Sequence, residues 1–302
     1  MRFDVVTLFP AMFDAIAGHG VTGRALQQGL WSLQCWNPRD YATRANGRLD
    51  DRPFGGGPGM VMEAEPLRAC VEAIDTRTGT RQHRILLSPG GKPLRHSDIA
   101  RLGQLSALTL VAGRYEGIDQ RFTDSQIDEV LCVGDIVVSG GELPAMMLID
   151  ALVRWIPGVL HDEDSAPQDS FAAELLDHAH YTRPEVWKGL RVPEVLLGGD
   201  HRAIGRWRRA NALLTTARVR PELLASARHK GVIGAEDEAL LAAQQGIPAV
   251  APAAIPADSG VDSPAAIPAD PGVEFPAVIP ADSGVDSPAT APALAGTARF
   301  RP

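Results

Sequence analysis

A chain of 302 residues that is 45% hydrophobic carries enough apolar side chains for a folded core in one or two domains. No apolar run approaches the roughly 20 residues needed to span a bilayer, and the start MRFDVVTLFP has no basic stretch ahead of a hydrophobic one, so the expectation is a cytoplasmic protein without a membrane segment or secretion signal. The net charge of -8 hides an asymmetry: 178–230 holds 11 Lys+Arg against 4 Asp+Glu, whereas 1–177 holds 16 against 24, so a basic module follows an acidic one. Phosphate neutralisation supplies most sequence-independent nucleic-acid affinity, so the local excess says more about partners than the whole-chain value does.

In chain order, RFDVVTLF at 2–9 alternates toward a strand and Pro10 opens a helix through Ala17. GGGPG at 55–59 has the composition of a flexible loop. ILLSP at 85–89 and LTLVAG at 108–113 read as buried parallel strands ending in loops, with a helix around 97–105 between them. This is an α/β pattern, in which ligand loops sit at strand C-termini.

The stretch 111–156 is the most informative. Gly113, Gly117, Gly134, Gly140 and Gly141 follow or interrupt apolar runs, interleaved with Tyr115, Glu116 and Asp135, as suits a backbone that turns sharply beside a flat ligand. Each glycine alone is more simply a turn former; five together point to a small-molecule pocket built from loops. Pro144 fits the first turn of a helix running to Trp155. Beyond it, 157–176 begins with Pro-Gly and is acidic and polar, the composition of a mobile linker, before a short helix SFAAELL that Asp169 could cap.

His178 and His180 stand two apart with no third metal ligand evident, and read as a structural or phosphate-contacting pair ahead of Tyr181 and Arg183. Arg206 and Arg209 fall three apart on one helical face. Cys35, Cys70 and Cys132 are odd in number and widely spaced, which gives neither a disulfide framework nor a metal pattern. From 247 the chain changes character: IPADSGVDSPAA, IPADPGVEFPAV and IPADSGVDSPAT repeat a proline-rich twelve-residue unit with too few large apolar groups to bury, so 247–302 reads as a disordered, acidic tail.

The string GRYEGID followed by VGDIVVSGGELPAMMLID resembles the cofactor-binding core of the bacterial tRNA (guanine-N1)-methyltransferases, a family of the knotted SPOUT class. The resemblance extends in one order over roughly the first 230 residues through LFPAMFDA, DDRPFGGGPGMVM, LLSPGGKPL, DSFAAELLD, HYTRPEVWKG and VPEVLLGGDH. It implies a SPOUT-type parallel sheet with a deep trefoil knot over 1–160, a linker over 161–176, a basic helical tRNA-binding domain over 177–246, and a homodimer with active sites at its interface. The knot is an implication of the family alone, since pattern reading assumes unthreaded chains.

The resemblance also assigns roles. S-adenosylmethionine binding falls to Leu87, Ser88, Pro89, Gly113, Tyr115, Glu116, Gly117, Val133, Gly134, Asp135, Ile136, Val137, Val138, Gly140, Gly141 and Pro144. Members commonly carry tyrosine and leucine where this chain has Ile136 and Val138, a change that main-chain contacts would tolerate. The reaction implied is methylation of guanine N1 at the guanosine 3′ of the anticodon, position 37. N1 of the neutral base carries a proton, so a base and a cation are needed at one edge; the family matches are Asp169 and Arg154. An aspartate, with a reference pKa of about 3.9, is a weak base, so it needs Arg154 opposite or a metal. The family's divalent ion, Mg²⁺, would fall to Glu116, Ser165 and Asp169, which offer hard oxygen donors. Contacts to tRNA fall to Gly59, His180, Arg183, Lys188, Arg206 and Arg209. Three competing readings are an RNA-binding relative without catalysis, for which Ile136 is the one hint, a related SPOUT enzyme methylating another RNA position, against which HYTRP in the basic helical domain and the GGGPGMVM loop argue, and a Rossmann-type nucleotide enzyme, for which no GxGxxG with a following acidic residue is present.

Overall fold

The computed structural model describes residues 1–44, 47–162 and 165–245. The repeat tail foreseen over 247–302 lies outside the described residues. In chain order the elements are β1 (Arg2–Val6), α1 (Asp14–Ala17), α2 (Gly20–Gln27), β2 (Ser32–Trp36), β3 (Asp50–Asp51), β4 (Val61–Met62), α3 (Ala64–Thr78) and β5 (His83–Pro93). There follow α4 (His96–Leu102), β6 (Ala107–Ala112), β7 (Gly117–Ile118), α5 (Gln120–Gln126), β8 (Glu129–Cys132), α6 (Glu142–Val153) and α7 (Ser165–Gln168). The chain continues through β9 (Val186–Trp187), β10 (Leu190–Arg191), α8 (His201–Val219), α9 (Pro221–His229) and α10 (Ala235–Gln245). Pro10 opens a 3-10 turn, Pro10–Phe13, that leads into α1.

Five strands form an all-parallel sheet in the order β2-β1-β6-β5-β8. The fold is therefore α/β with a parallel central sheet. Side chains alternate across each strand, so neighbouring residues serve opposite faces. Val5, Ile85, Leu87, Leu110 and Leu131 face one core, closed by Leu148, Ile149, Leu152 and Val153 of α6. Val6, Leu86 and Val111 face the other, closed by Leu67, Cys70, Val71 and Ile74 of α3 and Phe122 of α5. Burial on both faces explains the nearly continuous apolar runs of these strands.

All three cysteines are free thiols. Burial pushes Cys70 up to about 12 and Cys35 up to about 11, so neither is a thiolate at neutral pH.

A third, smaller core joins Leu213 of α8, Leu224 and Ala227 of α9, Leu241 of α10, and Leu175 from the segment ahead of β9. That segment departs from the helix expected for SFAAELL: 170–176 is a series of turns. Phe171 and Glu174 take left-handed φ values of 75° and 61°, which a right-handed helix excludes. Tertiary anchoring overrides local propensity here. Leu175 is buried, the Leu176 amide donates to Thr216 Oγ1 at 2.9 Å, and the Asp177 amide donates to Ser170 Oγ at 2.9 Å. The helix in this part of the chain lies earlier, at α7, so Asp169 caps no SFAAELL helix.

Candidate active site

Strands β6, β5 and β8 are adjacent and parallel, so the loops that follow them leave the same edge of the sheet. β5 is interrupted there: its pairing with β8 jumps from Leu87 to Lys92, which throws 88–91 out of the ladder. This loop, 113–118 and 131–141 wall one cleft, with Pro144 of α6 at its side. The cleft gathers the residues singled out as cofactor-binding, Leu87, Ser88, Pro89, Gly113, Tyr115, Glu116, Gly117, Val133, Gly134, Ile136, Val137, Val138, Gly140, Gly141 and Pro144. Asp135 is exposed and is not among its lining residues.

Close backbone approach explains two of the glycines. A side chain at Gly141 would place its Cβ 2.7 Å from Ala112 Cα, and the Gly141 amide donates to the Gly113 carbonyl at 2.9 Å, so the two glycine loops lie backbone to backbone. Gly59, at φ 75°, packs against Glu116 so closely that any Cβ would collide with that side chain. The GGGPG loop is tied down beside it: Glu116 donates its amide to the Met60 carbonyl at 3.0 Å, and β4 pairs with β7. Tyr115, half exposed, holds a left-handed φ of 61°, a strained conformation at the mouth of the cleft.

Beneath the loops lies an ion pair that the sequence did not signal. Glu142, the first residue of α6, is fully buried and meets Arg114 Nε at 2.9 Å. The contact is ionic, since neither of those two atoms gains an aligned hydrogen bond. Glu142 also accepts from Thr7 Oγ1 at 3.0 Å, while Arg114 donates to the Ser139 carbonyl at 3.1 Å and lies 4.4 Å over the Phe9 ring. Arg114 thus links the 113–117 loop to the 133–141 loop. Nothing in GRYEG or GGEL reveals that these two charges meet.

Arg154 caps the C-terminus of α6, and its guanidinium is ion-paired with the Asp169 carboxylate. The two expected catalytic groups therefore meet. Neither lines the glycine-loop cleft; Arg154 lines a separate, smaller cleft with 155–158, Leu160, Ala166 and Pro167. Ser165 is exposed at the start of α7, and Glu116 is exposed at the glycine-loop cleft.

The basic residues divide into two kinds. Arg183 and Lys188 are exposed around the β9–β10 hairpin, with Lys188 Nζ 5.2 Å over the Trp187 ring. Arg206 is exposed on α8 and makes no ion pair among the described residues. Arg209, three residues on, is engaged with Asp237 at 2.8 Å and with the Val232 carbonyl at 3.0 Å. Arg228 pairs with Glu238 at 2.6 Å and Lys230 with Glu174 at 2.7 Å. The charge excess counted over 178–230 is thus partly neutralised by acids from outside that window. His180 is exposed and contacts the Asp177 carboxylate at 2.9 Å, so the histidine pair has an acidic neighbour that the sequence reading passed over.

The sequence model of the family described as tRNA (Guanine-1)-methyltransferase TrmD matches residues 1–226. Curated relatives agree. A tRNA (guanine-N(1)-)-methyltransferase of Ralstonia nicotianae is 54% identical over 244 residues, covering 80% of this chain and 93% of its own length. Its counterparts in Cupriavidus metallidurans and Burkholderia mallei are 52% and 53% identical over 246 residues, each covering 80% of this chain and 94% and 93% of their own. With the matched region spanning both the glycine-loop cleft and the Arg154–Asp169 pair, the chain belongs to the tRNA (guanine-N1)-methyltransferase family.

Proposed function

We propose that this chain methylates N1 of guanine in tRNA, at the guanosine 3′ of the anticodon, with S-adenosylmethionine as methyl donor. The observation that carries the reading is the cleft itself, in which three strand ends present glycine backbone and apolar side chains to one ligand. Such a cleft suits a flat adenine: Leu87, Ile136, Val137 and Val138 offer apolar walls, and main chain at 113–117 and 133–141 offers hydrogen-bonding groups. The bound cofactor would supply an electrophilic methyl group on a sulfonium. The packing of Gly141 on Ala112 supports this fit, because it keeps the two loops close enough to clasp one bent molecule.

Asp169 accepts the proton that leaves guanine N1, and Arg154 stabilises the charge that gathers on O6. Their ion pair keeps the two groups at one place. It must open, or be shared with the base, for each to take its role. Because neither lines the cofactor cleft of its own chain, the reading includes a homodimer in which Asp169 serves the partner's cleft. The apolar side chains of Ile136 and Val137, 65% and 86% exposed, favour burial against a second surface. Arg183, Lys188 and Arg206 are exposed basic groups open to tRNA phosphates. A Mg²⁺ site of Glu116, Ser165 and Asp169 fits this single chain poorly, since Asp169 already has Arg154 as its counter-ion and Glu116 lies at a cleft that Asp169 does not line. No step is assigned to a metal.

The test is nucleoside mass spectrometry of an unmodified tRNA with guanosine 3′ of the anticodon, incubated with S-adenosylmethionine and either wild type or Asp169→Asn. Wild type should yield 1-methylguanosine at that position, and Asp169→Asn none while binding the cofactor nearly as well. Methylation at another position would discard the site assignment; tRNA binding without product would favour a non-catalytic relative. Equal loss of binding and transfer in Asp169→Asn would sink the general-base role.

A further inference from the structure

We propose that Asp177, His178 and His180 form a binding site for a borderline divalent cation of the Zn²⁺ class, separate from the proposed catalytic groups. Among the described residues this is the one group of three His, Cys, Asp or Glu side chains whose donor atoms all lie within 4.8 Å of one another. The carboxylate reaches both imidazoles. Asp177 Oδ2 is 2.9 Å from His180 Nε2, and Oδ1 is 3.8 Å from His178 Nε2. The His178 and His180 ring centroids are 4.5 Å apart.

Hydrogen bonding prepares His178 as a ligand. Its Nδ1 lies 3.1 Å from the Ala179 carbonyl, which can only accept, so the Nδ1 proton is held there and Nε2 keeps its lone pair on the Asp177 side. The backbone of the cluster is anchored as well: the Asp177 amide donates to Ser170 Oγ at 2.9 Å, the His178 amide to Asp177 Oδ1 at 2.7 Å, and the Ala179 amide to Asn211 Oδ1 at 2.7 Å. Trp207 backs the His178 ring at 6.2 Å between centroids. His180 is the more exposed partner, with 71% of its side chain open to solvent and so to an incoming ion. Two imidazoles and one carboxylate select Zn²⁺, Co²⁺ or Ni²⁺ over Mg²⁺, which prefers oxygen donors. Three protein ligands leave a fourth position for water or an incoming ligand.

Co²⁺ is the probe, because its visible absorption reports coordination directly. The full chain at neutral pH is titrated with Co²⁺, and then with Zn²⁺ as competitor, alongside His180→Ala, Asp177→Asn and Asp169→Asn. His180 is exposed, so its replacement leaves the fold intact, which circular dichroism checks. The expected result is one Co²⁺ per chain in wild type and in Asp169→Asn, displaced by Zn²⁺, with affinity at least about tenfold weaker in His180→Ala and in Asp177→Asn. Absence of a one-to-one site in wild type would overturn the proposal. So would an unchanged Co²⁺ affinity in His180→Ala and Asp177→Asn, or a site lost in Asp169→Asn, which would move the ion to the proposed catalytic pair.

Discussion

Glu142 shows how a single side chain can set the shape of the cleft without lining it. It is fully buried, and its partner Arg114 is 17% exposed and bridges two of the three loops. Truncating one member of a buried pair leaves the other charge without compensation, so Glu142→Ala should destabilise the fold by roughly 3–5 kcal/mol. Urea unfolding measures this, and Glu142→Gln, which keeps an oxygen for Thr7 Oγ1, should fall less far. A shift below about 1 kcal/mol for Glu142→Ala would mean that the pair contributes little. Cofactor affinity should fall in the same order. The glycines were legible in the sequence because steric need restricts such positions to one residue type, as at Gly141 against Ala112. The Arg114–Glu142 pair was not, since nothing in a charged residue's neighbours reveals that its partner comes from another element. Asp135 differs from its neighbours: it sits within the glycine pattern yet is exposed and is not among the residues that line the cleft.

Among the elements, strands with two buried faces were the most legible, because β5 and β6 are short apolar runs ending in turn residues. The turns at 170–176 were not, because Leu175, Thr216 and Ser170 impose them from outside the segment. Capping at α4 gives a pH prediction. Burial acts to raise the Asp98 carboxyl, but the Arg95 amide, Lys92 and Arg101 outweigh it and hold the group below its usual range. A carboxyl depressed in the folded state contributes stability that is complete above its unfolded value of about 3.9 and is lost as pH falls through the folded value. The stability gap between wild type and Asp98→Asn should therefore be constant at neutral pH and close below about pH 4. A gap that persists at the lowest pH at which both fold would assign the effect to packing. On α8, the structure separates residues that the sequence made equivalent. Arg206→Ala should weaken tRNA binding and reduce its logarithmic salt slope by about 1. Arg209→Ala should instead loosen α10 through the loss of Asp237, and a salt slope lowered equally by both would refute the distinction.

At the scale of the whole molecule, the proposed chemistry and the proposed cofactor cleft do not coincide within one chain. Arg154 and Asp169 meet each other beside one cleft, while the glycine loops wall another. A sequence can name both groups, but which of them share a site depends on how chains associate, to which exposed apolar side chains such as Ile136 and Val137 point. Mixing tests it. Asp169→Asn keeps an intact cleft without the base, and Gly141→Val, whose side chain would press on Ala112, keeps the base without an intact cleft. Each variant alone should be inactive. If Asp169 serves the partner's cleft, a mixed dimer holds one site with both intact parts, and random exchange of subunits in a two-fold dimer should restore about a quarter of wild-type activity. If each chain uses its own Asp169, every site in the mixed dimer carries one defect and the mixture stays silent, which would overturn the shared site while leaving the family and its chemistry in place.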